Sequence, residues 1–198
     1  MTDSQNSEAR RPGKRERLVS SAADLMHRRG VSATSLADVA HRADVPPGNV
    51  YYYFKTKDEL VRAVLAAQTL QVTAMTEELG ALPGPVERLK ALTSRWDEMR
   101  DVVARYGCPF GSLASELDRR DDGLDRDAAG PMRRLLDWAA GQFRELGCED
   151  PDDLATALLA GIQGGALLAA TLREPHLMTA QVGRLHAWID TVGTPAQR

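Results

Sequence analysis

From residue 14 onward, apolar side chains recur at intervals of three and four, and no sustained run alternates in twos, so the chain is expected to be all-α with no sheet. Leu18, Ala22, Leu25 and Met26 stand at i, i+4, i+7 and i+8 of a first helix over 14–29, and Gly30 is its stop. Thr34 and Ser35 open a shorter second helix, where Ser35 and Asp38 have the S-x-x-D spacing of a capping box and Leu36, Val39 and Ala40 turn inward. The turn Ala43-Asp44-Val45-Pro46 ends it, because a residue that precedes proline disfavours the α region. Pro47 suits the first position of a third helix that runs through Gly48, Asn49, Val50 and Tyr51 to Phe54.

The remaining pattern predicts a long fourth helix from about residue 57 to 79, then helices to about 105, over 111–119, over 131–146, over 151–173 and over 175–192. The acidic run SELDRRDDGLDRD between two of them reads as a solvated loop without the carboxylate order of a calcium loop. Between Asp153 and Arg173 stand nineteen residues without a charge, including Gly161-x-x-x-Gly165. That length is close to a membrane span with a helix-pairing motif. Thr156, Gln163 and Thr171 interrupt it, however, and no aromatic belt or basic cluster flanks it, which favours a helix buried on two sides and no membrane. Gly161, Gly164, Gly165 and Ala169 permit close backbone approach by a partner subunit. In the next helix Met178, Val182, Leu185 and Ile189 form a stripe that a partner, the same chain or both must cover.

Three short helices with a tight turn between the second and third make a helix-turn-helix, whose third member can lie in a DNA major groove. A buried helix spaces its aromatics three or four apart, whereas Tyr51, Tyr52 and Tyr53 are consecutive and point around the axis. Val50 and Phe54 lie four apart and face the core, which leaves Pro47, Gly48, Asn49, Tyr52 and Tyr53 outward. Exposed phenols beside lysines suit a surface that meets phosphates or bases.

Charge sharpens this picture. Residues 9–57 hold ten Lys+Arg against four Asp+Glu, a balance of +6, so the rest carries −9 within the total of −3. A basic head on an acidic body is the layout of a polyanion-binding module with a separate regulatory part. We therefore expect a disordered basic arm over 1–13, a helix-turn-helix domain over 14–57, and a helical ligand-binding and dimerisation domain over 58–198. Hydrophobic content of 43% over 198 residues suffices to bury a core. Two distant cysteines, Cys108 and Cys148, with no C-x-x-C and no signal peptide, point to the reducing cytoplasm. Cys108 is either an inert buried thiol or an oxidant sensor, with Arg105 its one near cation in sequence. The four histidines have no metal-ligand spacing, and neither metal nor cofactor is expected.

The run ATSLADVAHRADVPPGNVYYYFKTKDELVRAVL, residues 33–65, resembles the tetracycline-repressor (TetR) family of bacterial transcription factors. The resemblance implies a homodimer whose last two long helices pair with a partner's, and repression of a palindromic double-stranded operator relieved by a small apolar or aromatic effector. It places Thr34, Tyr51, Tyr53 and Lys57 at phosphate-contact positions, and Pro47, Gly48, Asn49 and Tyr52 at or near base edges. Pro46 followed by Pro47 departs from the family pattern, stiffening the helix entry and removing amide donors. Two heads about 34–36 Å apart would read successive major grooves.

Bulky and polarizable residues gather in the middle of the body: Trp96, Met99, Tyr106, Cys108, Phe110, Trp138, Phe143 and Gln163. They are candidates for an effector pocket, with plain core as the competing account of each. GCPFGSLASEL, residues 107–117, resembles the body of an LmrA/YxaF-like subgroup associated with multidrug-type ligands. Two other functions compete with the regulator. A helical small-molecule enzyme would need a nucleophile elbow, a phosphate-binding glycine loop or an H-E-x-x-H, and none is found. A membrane adaptor would need residues 154–172 to insert.

Overall fold

Gly30 turns the chain out of its first helix at φ +87°, a backbone angle that L side chains avoid, and thereby sets the entry to everything that follows. A computed structural model of the chain describes residues 12–193, which form ten helices: α1 (Lys14–Arg29), α2 (Leu36–Arg42), α3 (Pro47–Tyr53), α4 (Lys57–Gly80), α5 (Pro85–Glu98), α6 (Arg100–Tyr106), α7 (Pro109–Leu117), α8 (Leu124–Glu145), α9 (Pro151–Leu172) and α10 (His176–Gly193). The architecture is all-α, and the expected basic arm lies almost wholly outside the described residues.

Capping explains the short helices. The Ser35 hydroxyl accepts from the Asp38 amide at 3.1 Å while an Asp38 carboxylate oxygen accepts from the Ser35 amide at 3.0 Å, the reciprocal box that the spacing predicts. Hydrogen bonds from Ser35 and the nearby Arg29 hold the Asp38 carboxyl below its ordinary range. At the start of α4 the Thr56 hydroxyl accepts from the Glu59 amide in the same way.

Three expectations are corrected. The helix to residue 105 is broken at Met99, whose φ −102° and ψ 16° leave the α region and separate α5 from α6. The helix expected to begin at Pro131 begins seven residues earlier, after Gly123 at φ +91°, with an Asp122 oxygen accepting from the Leu124 amide. Pro131 thus lies inside α8, where it removes one amide donor. The acidic run is not a free loop either. Its two ends belong to α7 and α8, Leu117 and Leu124 are buried, and Arg120 grips Asp58 with two hydrogen bonds of 3.1 and 2.8 Å while also pairing with Asp122.

Two apolar cores hold the molecule. The head core joins Leu18 and Ala22 of α1, Val39 of α2, Val50 and Phe54 around α3, and Leu60, Val61 and Val64 of α4. It also takes in Leu113 and Leu117 of α7 and Leu124 and Ala128 of α8. The body core begins at Val72 and Leu79 of α4 and continues through α5, α6, α8, α9 and α10. A division at residue 57 therefore does not separate the cores, because α4 serves both and α7 reaches back into the head.

The stripe expected to meet a partner is consumed within the chain. Met178, Val182, Leu185 and Ile189 are buried in the body core beside Ala169. A Cβ on Gly161 would lie 2.9 Å from a Leu185 methyl, and one on Gly165 would lie 2.8 Å from Gln181 Cγ, so these glycines let α9 and α10 approach each other. By length and composition α9 is long and apolar enough to cross a membrane, yet it packs on α6, α8 and α10. Its exposed apolar residues are Leu167, Leu168 and Leu172.

One polar tie between head and body is Glu116. One carboxylate oxygen accepts from the Val31 amide at 2.7 Å, and the other accepts from the Ser32 amide at 2.8 Å and the Ser32 hydroxyl at 3.0 Å. Burial pushes this carboxyl up, but the hydrogen bonds from Ser32 and Val31, with the charge of Lys57, outweigh it and hold the group below its ordinary value. A depressed carboxylate pKa contributes stability above the unfolded pKa and loses it as pH falls through the folded value. Glu116→Gln is expected to lower stability near pH 7 by about 1 kcal/mol, discounted for exposure. The gap from the parent chain should close at a second, acid pH below the ordinary carboxylate range, where both chains are neutral at this site. Urea unfolding at the two pH values checks this, and a gap independent of pH would refute the assignment.

Candidate nucleic-acid interface and effector cavity

The turn that aims α3 is closed by the Val45 amide donating to Ala40 O at 3.0 Å and the Ala43 amide to Val39 O at 2.9 Å. Asp44 takes φ +51°, a left-handed angle that a short polar side chain tolerates better than a branched one. Val45, Val50 and Phe54 are buried, which fixes the roll of α3 about its axis. Pro46 at φ −54° and ψ 135° leads into Pro47 at the first helical position.

With that roll set, Pro47 and Gly48 are exposed and Asn49 is partly so. Tyr52 is 77% exposed and Tyr51 57%. Tyr53 is half-buried against the head core, with its ring edge-on to Tyr52 at 5.1 Å. It supports Tyr52 more than it projects. The Lys55 ammonium donates to Tyr51 O at 2.8 Å, at the end of α3. Lys57 is partly buried, and its Nζ donates to Ser32 O at 3.3 Å, between α1 and α2.

Thr34 departs from its expected place. Its side chain is 1% exposed, and its hydroxyl donates to Gly30 O at 2.8 Å. It is occupied in closing the α1–α2 turn and offers no free hydroxyl to a phosphate. Among the eight expected contact residues the structure thus gathers Pro47, Gly48, Asn49, Tyr51 and Tyr52 on one open face, with Tyr53 and Lys57 at its edge.

The second feature is a cavity of about 750 Å³ under α7, bounded by the end of α1, by α6, and by α8 and α9. Three of the eight expected pocket residues line it: Tyr106, Cys108 and Gln163. The Gln163 amide donates toward Cys108 Sγ at 3.4 Å and lies 4.0 Å from Met132 Sδ. Trp96, Phe110 and Phe143 are instead body core: Trp96 meets Phe110 edge-on at 6.5 Å, and Phe143 meets Trp188 at 5.8 Å. Met99 and Trp138 are half-buried against the same core and also lie away from the cavity. Apolar side chains on opposite faces of one bundle share a composition without sharing a wall.

Sequence reasoning missed Arg28, Gly111, Ser112, Met132 and Arg173 as cavity residues. Arg28 reaches the cavity from α1, donating to the Tyr106 hydroxyl at 3.0 Å across 78 positions of chain. No spacing signal reports such a contact. His27, its neighbour, bonds Gly107 O at 2.9 Å and ties α1 to the same corner.

Known proteins place this geometry in a family. Residues 18–64 match the model described as bacterial regulatory proteins of the tetR family, and residues 85–182 match the tetracyclin repressor-like C-terminal domain. The chain is 41% identical over 189 residues to the HTH-type transcriptional regulator TtgR of Pseudomonas putida, spanning 89% of this chain and 88% of that protein. It is 30% identical over 169 residues to the HTH-type transcriptional regulator BetI of Klebsiella pneumoniae, spanning 83% and 86%. The crystal structure of a TetR transcriptional regulator from Legionella pneumophila superposes with a TM-score of 0.80 at 20% identity, over 91% of this chain and 97% of that one, a likeness of fold. The chain belongs to the TetR family. It is a helix-turn-helix transcriptional regulator, in a family of regulators rather than of enzymes.

Because the Val39 and Ala40 carbonyls of α2 close the turn that leads into α3, the cap of α2 matters to the DNA-facing surface. Ser35→Ala is expected to destabilise the chain by about 1 kcal/mol and to weaken DNA binding with it. Denaturant unfolding and binding isotherms, taken side by side, would show either loss absent if the box were idle.

Proposed function

We propose that this regulator is a cytoplasmic homodimeric repressor that grips a palindromic operator with α3 of each copy and releases it when a small molecule fills the cavity under α7. One observation carries the reading. α7 presents Gly111, Ser112 and Ser115 to the cavity, while its other side places Leu113 and Leu117 in the head core and Glu116 on the α1–α2 turn. A ligand that favours a shifted α7 has different affinities for two head positions, which is the thermodynamic requirement for control at a distance.

Tyr51, Tyr52, Asn49, Gly48 and Pro47 supply the groove-facing surface in this reading, with Lys57 at its edge toward a phosphate. Thr34 is not a contact residue here. The partner's face is also redrawn. With Met178, Val182, Leu185 and Ile189 buried at home, the exposed small and apolar positions are Gly164, Leu168 and Leu172 on α9 and Ala180, Gly183 and Ala187 on α10. They recur at helical spacing, and small residues let two helix pairs close on each other.

A mobility-shift titration over the DNA upstream of the gene tests the core claim: a salt-sensitive shift is expected, and folded protein that shifts nothing at low salt would end it. Tyr52→Ala and Asn49→Ala should weaken operator binding, and Lys57→Ala should weaken all sequences alike and reduce the salt slope by about one. An unchanged slope would confine Lys57 to its bond with Ser32.

Leu168→Glu should yield a folded monomer with reduced operator affinity, because two linked heads bind far more tightly than one. Leu185→Glu should instead unfold the body, since it buries a charge in the core. Sedimentation and thermal melting separate the two, and a Leu168→Glu chain that stays dimeric would place the interface elsewhere.

A further inference from the structure

We propose that the cavity under α7 takes a small organic anion, an apolar or aromatic body carrying a carboxylate, with Arg105 and Arg173 receiving the charge. This rests on the effector reading of the cavity above and adds the chemical class of its occupant.

Among the described residues three arginines line the cavity, Arg28, Arg105 and Arg173, and no aspartate or glutamate does. They gather around one corner. The Arg28 guanidinium lies 4.9 Å from the centre of the Tyr106 ring and that of Arg105 lies 5.3 Å from it. Arg173, held at φ +60° at the end of α9, donates to the carbonyls of Ala104 and Arg105.

The three are not equivalent. Arg28 has an ion-pair partner in Asp24, which it shares with Arg42 and whose carboxylate lies 2.7 Å from the Arg28 Nε. Neither Arg105 nor Arg173, both exposed, has an ion-pair partner among the described residues; Arg15, Arg17, Arg119, Arg126, Arg133, Arg134 and Arg184 have none either, but of these unpaired arginines Arg105 and Arg173 are the two that line the cavity. Two uncompensated guanidiniums at the rim of a concave site favour an anion, because guanidinium donors match carboxylate geometry and concave walls focus the field.

The floor restricts the anion further. Met132, Leu167, Ala166 and Ala170 supply apolar surface, and the Gln163 amide and the hydroxyls of Tyr106, Ser112, Ser115 and Thr171 are polar points among them. An inorganic ion would leave that surface uncovered, while an organic acid covers it and places its charge at the rim. The volume of about 750 Å³ lies in the range of small-molecule sites.

Calorimetry on the full chain with 3-phenylpropanoate, its neutral amide, 3-phenylpropylamine and inorganic phosphate tests the class. The carboxylate should bind about tenfold more tightly than the amide, the preference shrinking at high salt. Arg105→Gln should abolish the preference and Arg105→Lys should keep part of it, with Arg173→Gln as the second probe. The proposal is overturned if the amide or amine binds as well as the carboxylate, if phosphate binds equally, if none of the four binds, or if the preference survives both glutamine variants. Operator release is read separately by mobility shift. A carboxylate that binds through Arg105 without releasing DNA sustains the anion site and removes the effector reading, while release by the amide alone does the reverse.

Discussion

Leu113 and Leu117 belong to the body by sequence but to the head by packing, and that placement governs how the molecule can work. Burying these two side chains in the head core ties α7 to α1 and α4 with about 2 kcal/mol each of apolar transfer energy. Glu116, between them, spends its carboxylate on the α1–α2 turn. A helix anchored on one side in the DNA-facing unit, with the other side open to a cavity, has two sets of contacts that cannot both be optimal once the cavity is filled. Closely packed interiors switch between arrangements more readily than they deform smoothly.

The same economy of contacts explains the α9–α10 pair. Gly161 and Gly165 draw the two helices together within one chain, so the inward stripe of α10 finds its cover at home. What remains outside is a second, shallower face of glycine, alanine and leucine. Such a face buries little by itself, and a matching copy is the simplest surface that fits it.

Electrostatics divides along the same lines. In the head, Arg28 and Arg42 pair with Asp24 and Arg29 pairs with Asp38, while the phenols of Tyr51 and Tyr52 stand exposed on α3. In the cavity, among the described residues, no acidic side chain lines the wall, and Arg105 and Arg173 have no ion-pair partner. One region offers hydrogen-bonding aromatic surface to a polyanion, and the other offers a small positive corner.

Much of this was legible from short-range pattern. Helices, their caps and the helix-turn-helix depend on contacts between positions three or four apart, and the Ser35–Asp38 box, Pro47 at a helix start and the outward Tyr52 follow from such spacing, whereas Tyr53, expected outward, is half-buried and Tyr51 is exposed in its stead. The inward stripe of α10 was legible as well, but not what covers it, because an apolar face is the same whether its neighbour belongs to its own chain or to another. Local rules also failed where a distant group intervened: Thr34 is drawn inside by Gly30 O, and the acidic run is pinned by Asp58. The cavity wall was the least visible part, since Trp96 and Phe143 match Tyr106 in apolar bulk yet point into a different core. Arg28 and Tyr106 stand 78 residues apart, and only folding, which sets helix crossings by the sum of many weak packing contacts, could bring them to one corner.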